Sequence, residues 1–138
     1  MIGLALAATL ATTPQSPAAE PQRAAYYYKV RWGFQQEFEH LFFKNHYPLL
    51  MAQKGGRIKD VEVLRPTFHG DGRADWTFLV VITFSDWASF KATPGEEEAL
   101  QKRLFPDQET YRREEQRRFE IVDAHWDVPL TPVAPPPQ

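Results

Sequence analysis

"WTFLVVITF", residues 76–84, is the stretch whose reading decides the fold. Its aromatic and β-branched residues favour a strand. Alternation puts Trp76, Phe78, Val80, Ile82 and Phe84 on one face. Leu79 and Val81 make the other face apolar as well. A strand that is apolar on both faces belongs at the centre of a sheet, with a layer over each side.

Upstream, "TFHGDGRAD" (67–75) carries Gly70, Asp71 and Gly72 and reads as a turn. "IKDVEVLRP" (58–66) alternates as a second strand and ends at Pro66. Further back, "YYYKVRW" (26–32) is a third, with Tyr26, Tyr28, Val30 and Trp32 on one face, and Gly33 breaks it. From there the period becomes helical. Phe34, Phe38, Leu41, Phe42 and Leu49 form one stripe, with Gln35, Glu39 and Lys44 opposite. Pro48 has no N–H to give, so the helix kinks there or a short second helix starts. Gly55-Gly56 stops it.

Downstream, Ser85 is placed to cap "DWASFKA". "EEEALQKRLF" resumes a helix with acids in its first turn, as the macrodipole favours. "DQETYRREEQRRF" is charged nearly all round. Glu109–Arg113 and Glu114–Arg118 stand four residues apart, which reads as a solvated helix. "EIVDAHWDV" (120–128) closes the domain as a strand. Val122, Ala124, Trp126 and Val128 share one face of it, with Asp123, His125 and Asp127 on the reverse.

The order is β-α-β-β-α-β: an α+β, ferredoxin-like arrangement with a four-stranded antiparallel sheet. Its first and third strands are central, which suits residues 76–84. Helices cover one face. The other needs a partner, and a second copy of the chain is the simplest, so a homodimer is expected.

The 138 residues suit one domain. A formal net charge of −2 offers no basic excess for phosphates, so no nucleic-acid partner is expected. With no cysteine there is no disulfide, thiolate nucleophile or Cys-bound metal. Residues 1–23 read as a signal peptide or disordered leader. The apolar run from Ile2 to Ala11 is too short to span a membrane but fits a signal-peptide h-region, which points to a periplasmic or secreted protein, otherwise a cytoplasmic one. Residues 24–130 are the folded domain, and the Pro-rich residues 131–138 a disordered tail.

The βαββαβ order resembles the dimeric α/β-barrel superfamily. Within it, "EFEHLFFKNHYPLL" is similar to the helix of EthD-like proteins, where a Phe is followed eight residues later by His-x-Pro-Leu. Here those positions are Phe38, His46, Pro48 and Leu49. The resemblance implies a dimer with a cleft between helices and sheet in each copy. It also implies a range of activities, from cofactor-free monooxygenases and polyketide cyclases to haem-degrading enzymes.

His46, beside the helix break, is the main candidate for acid–base work. The plainer reading is a histidine bonded to the local backbone. Tyr47 is a candidate hydrogen-bond donor, or simply packing. Trp32, Trp76, Phe78 and Trp126 are candidate walls for a flat ligand, or ordinary core. His125 stands between Asp123 and Asp127, and either faces His46 or belongs to a polar sheet edge. His40, His69 and Asp71 read as exposed. No metal site and no cofactor are expected. GxGxxG, P-loop, GxSxG and HExxH patterns are missing. The expected function is a cofactor-independent enzyme or binding protein for a small aromatic or polyketide-like ligand. The alternatives are a non-catalytic exported dimer and, on an axial His46 or His125, a haem protein.

Overall fold

A computed structural model of the chain describes residues 19–68, 75–91 and 94–136. Most of the leader, His69, Asp71 and the end of the tail lie outside the described residues.

The apolar stretch forms β3 (Phe78–Phe84). It pairs antiparallel with β1 (Gln22–Val30) on one side and β2 (Ile58–Leu64) on the other. β4 (Val122–Leu130) lies along the far side of β1, giving the order β2-β3-β1-β4. The centre of the sheet is therefore β1 and β3, as the apolar pattern requires.

β1 starts earlier than its aromatics suggest. Gln22 and Arg23 already pair with Phe84 and Thr83 of β3, so the sheet reaches into the segment assigned to the leader. Arg31 and Trp32 fall beyond the strand's end, and Trp32 is 83% exposed rather than aligned with Tyr28 and Val30.

Between β1 and β2 runs one long helical passage. It consists of α1 (Gln35–Leu41), a π-helical turn (Phe42–His46) and α2 (Tyr47–Ala52). The π turn is the response to Pro48. Without its N–H, the bond to the carbonyl of Lys44 is lost. The chain widens by one residue, and the N–H of Tyr47 bonds the carbonyl of Phe42, five residues back. α2 follows without a gap, with Pro48 in its first turn. Gly55, at φ 89°, then turns the chain towards β2 in a conformation that side-chain-bearing residues avoid.

After β3 come α3 (Trp87–Phe90), α4 (Pro94–Leu104) and α5 (Gln108–Glu120). The α3 cap is Asp86, not Ser85: its carboxylate accepts the N–H of Ser89 at 2.6 Å. None of the described helices is long and apolar enough to cross a membrane.

One face of the sheet meets the helices. Tyr28, Phe78, Val80 and Ile82 pack there against Phe38, Phe42 and Leu50. Phe78 is the hub, its ring within 5.1 Å of Phe38 and 4.8 Å of Phe42, both edge-on. Ala25, Leu79 and Val81 point the other way, joined by Tyr27, Trp76 and Leu130. Two expectations about side chains change here. Trp76 sits before β3 begins and packs edge-on against Tyr27 on the outer face, away from Phe78. The register between β1 and β4 also shifts at Lys29/Val30, so Val122 joins the helix-side core while Trp126 stacks on Tyr27 outside.

α5 is not solvated all round. Tyr111 and Arg118, seven residues apart, are both buried against the domain. Glu114 does not reach Arg118. Its carboxylate takes Lys44 at 2.6 Å and Asn45 at 2.9 Å, fastening α5 to the π turn.

Phe42 is fully buried at the junction of π turn and sheet. Phe42→Ala is expected to lower the unfolding free energy by about 3–5 kcal/mol, read from urea midpoints. A loss below about 1 kcal/mol would contradict this packing.

Candidate functional site

The π turn places its last residue, His46, against the helix-side face of the sheet. A cavity of about 160 Å³ lies there. Its apolar walls are Leu50 and Ile58 with Val80, Ile82 and Phe84 of β3. Its polar residues are Tyr26, Tyr28, His46, Gln53, Arg57 and Glu97. A larger groove of about 470 Å³ between α2 and α4 shares Gln53, Arg57 and Glu97 with it, so these three stand between the inner cavity and the open surface. The inner cavity is the candidate site, because Tyr26, Tyr28 and His46, whose pKa values desolvation shifts, all line it.

Burial is the main force on those groups. It pushes the pKa of His46 down to about 3, and the charges of Arg118 and His125 add to the effect. His46 is therefore a neutral ring at neutral pH and, by itself, a weak base. Burial, aided by Asp127, lifts Tyr26 to about 12 against the pull of Arg57. Tyr28 is also raised by burial, opposed by the nearby Arg118. Both tyrosines are neutral hydroxyls at neutral pH and can donate to a ligand.

His125 lies one ring behind this wall. Its imidazole stacks on Tyr28 at 4.2 Å. Nδ1 stands 2.8 Å from the carbonyl oxygen of Tyr27, which only accepts, so Nδ1 carries the proton of that bond. Nε2 is 3.0 Å from Asp127 Oδ1. The polar face expected of β4 is thus half kept. His125 and Asp127 stay together, while Asp123 turns to Arg31 at 3.4 Å. Among the described residues, no group of three His, Asp or Glu side chains could hold a metal ion.

The other candidates do not gather here. Tyr47 is partly buried beside Phe43, with ring centroids 5.3 Å apart, and is no part of the cavity wall. The four aromatic candidates do not form one pocket. Phe78 is helix-side core and Trp126 is on the outer face. Trp32 and Trp76 border a separate hollow of about 390 Å³ with Lys29, Arg65 and Asp123. His40 is exposed, as expected.

Arg118 and Tyr26 were not singled out by the sequence pattern. Tyr26 shares the Tyr28 face and was legible by alternation. Arg118 was hidden in a charge run, and its only sequence signal is the seven-residue spacing from Tyr111.

No protein-family model and no curated protein matches the chain. Solved structures do. A DABB-family protein with a ferredoxin-like fold from Mesorhizobium loti has a TM-score of 0.51 at 16% identity, covering 83% of this chain and 98% of that one. A hypothetical protein from Arabidopsis thaliana has a TM-score of 0.54 at 10% identity, covering 85% and 92%. An ethyl tert-butyl ether D (EthD) family protein from Bacillus halodurans has a TM-score of 0.49 at 13% identity, covering 83% and 100%. The chain has the ferredoxin-like α+β fold. At these identities the likeness speaks for the fold, and the chemistry must come from the site itself.

The His46 shift has a consequence for stability. The unfolded chain protonates this ring as pH falls through about 6.5, whereas the folded chain does so only near pH 3. Between those values the unfolded state holds more protons, so the fold weakens as pH falls. His46→Gln is expected to lose less stability than the native chain between pH 6.5 and pH 4, measured by thermal melts. Equal losses in the two proteins would mean that the ring is not buried neutral.

Proposed function

We propose that this chain is an acid–base enzyme, or a binding protein of the same design, for a small aromatic or polyketide-like ligand, with His46 as the proton acceptor. The observation that carries the reading is a neutral, half-buried imidazole and two un-ionised tyrosines around one cavity. Such a group of donors and acceptors with apolar walls suits a ring that bears oxygen substituents. Size narrows the ligand. About 150 Å³ of apolar cavity accommodates benzene, and the cavity here is about 160 Å³. One ring fits inside, and any further rings would extend through Gln53, Arg57 and Glu97 into the outer groove. Four linked pyrroles exceed the inner space, which weighs against haem. His125, joined to Asp127 behind Tyr28, serves to hold that wall in place.

The working unit on this reading is a homodimer. Ala25, Leu79, Val81 and Leu130 form an apolar outer face with Trp76, Tyr27 and Trp126, and the matching face of a second copy is its natural cover.

The test is exchange of the acidic ring C–H protons of cyclohexane-1,3-dione into deuterated water, followed by NMR. The native protein is expected to speed it, and His46→Gln to reduce that catalysed rate by about 10²–10⁴-fold while the variant keeps its fold. Catalysis that survives the substitution removes His46 from the role. If no single-ring ligand binds and no exchange is catalysed, a non-catalytic dimer is the better description.

A further inference from the structure

Arg57 stands in the turn between α2 and β2, partly buried. Its guanidinium is tied to the surrounding helices. Nε donates to the carbonyl of Ser89, Nη1 to Gln53 Oε1 at 2.6 Å, and Nη2 to the carbonyl of Phe90 at 3.4 Å. Gln53 is fixed in turn, since its Nε2 donates to the carbonyl of Leu49 at 2.9 Å. The guanidinium also lies over the ring of Phe84, at 5.4 Å. All of these partners are neutral. Arg117 and Arg118, the other described arginines that are partly or wholly buried, each hold a carboxylate at 2.7 Å. Among the described residues Arg57 forms no ion pair, and its bonds go only to neutral acceptors.

Arg57 lines the inner cavity together with His46, Tyr26 and Tyr28, and it lines the outer groove as well. A guanidinium carries five N–H donors. The bonds above use three, so one N–H on Nη1 and one on Nη2 are left without an acceptor among the described residues. The carboxylates that border the same space do not answer this charge. Glu97 lines both spaces and Glu96 the outer groove, but both are exposed, and water screens them. Asp86, which shares a hollow beside α3 with Arg57, is committed to the N–H of Ser89. Of the other cations in the groove, Lys54 is paired with Asp60 at 3.3 Å and Arg103 is exposed. The groove as a whole is thus close to neutral, and the least hydrated charge on it is Arg57. A partly desolvated cation with spare donors and neutral partners favours an anion.

We propose that Arg57 is the specificity-determining residue of this cavity, and that it selects ligands whose single ring bears a carboxylate. The inference rests on the reading of the inner cavity as a ligand site. The ring lies among Leu50, Val80 and Ile82, and the carboxylate stands where the cavity meets the groove, accepting from Nη1–H and Nη2–H. A planar carboxylate matches neighbouring N–H groups of a guanidinium, which a lysine would meet only as a point charge. The arm is already held by Ser89, Gln53, Phe90 and Phe84, so little conformational freedom is lost on binding. An anion in the space that His46 lines also raises the proton affinity of that ring. A weak base thus gains strength when the matching ligand is bound.

The probe is 4-hydroxybenzoate, with neutral 4-hydroxybenzamide and cationic 4-hydroxybenzylamine as controls of similar size, titrated by calorimetry near neutral pH. The native protein is expected to bind the acid roughly tenfold more tightly than the amide, the worth of a hydrogen bond to a charged group, and the amine most weakly. In Arg57→Met, which leaves no carboxylate unpaired, the amide is expected to bind as before and the acid no better than the amide. Arg57→Lys, which keeps charge but not the planar fork, is expected to keep part of the preference and stands in should Arg57→Met not fold. A purely structural arginine would change the melting temperature and leave the ratio of acid to amide affinity in place. Equal binding of acid and amide by the native protein overturns the proposal alone, as does tightest binding of the amine, which would give the selection to Glu97. An undiminished preference for the acid in Arg57→Met overturns it as well. If none of the three binds, the ligand-site reading fails and this proposal falls with it.

Discussion

The constraint on which the rest of the structure depends is that β3 offers apolar side chains to both sides. Phe78, Val80, Ile82 and Phe84 are buried towards the helices, and Leu79 and Val81 towards the outer face. Such a strand cannot lie at a rim without exposing one set to water. Its place next to β1 fixes the order of the sheet. That order brings Tyr26 and Tyr28 of β1 alongside Val80 and Phe78, under the helices. The same alternation that builds the core thus delivers the hydroxyls of the cavity.

The helical cover is fitted to the sheet with an irregularity in it. Pro48 removes one backbone donor, the chain adopts a π turn, and His46 closes that turn facing β1 and β3. A widened turn would be loose unless held from outside. Glu114 of α5 holds it through Lys44 and the buried amide of Asn45, and these bonds keep the Glu114 carboxyl below its usual pKa. Beside this clamp, Glu115 engages Arg118 with both oxygens. Burial alone would lower the Arg118 pKa, and its bonds and charge contacts with Glu115 and then Tyr28 together raise it further than burial lowers it. Polar groups inside an apolar layer are expensive. Their gathering where α5 meets the π turn is what distinguishes this core from a plain packing solution.

Much of the architecture was legible in the sequence, because alternation and the 3.6-residue period are direct imprints of burial. The four strands, the centrality of β3, the Phe38–Phe42 stripe and the break at Pro48 all follow from that. Position-by-position faces were less legible near strand ends. Trp76 left the face of Phe78 because the strand starts two residues later, and Val122 left the face of Trp126 because of an irregular register. In the site, His46 and Tyr28 stood on readable faces. The burial of Arg118 outside it was not readable, since a buried arginine and a solvated one look alike in a run of charges. Only the three-dimensional position of Glu115, Phe38 and Phe119 sets it apart. The aromatic candidates scattered for a related reason: composition says that rings are plentiful, but not which side of a sheet each one takes.

What covers the outer face of Leu79, Val81 and Tyr27 decides the working unit of the protein. Sedimentation equilibrium of the full chain at micromolar concentration tests this most directly. A species of twice the 16.0 kDa chain mass is predicted, and Val81→Lys should convert it to a single folded chain. A native protein that sediments as one well-behaved 16.0 kDa chain would contradict it.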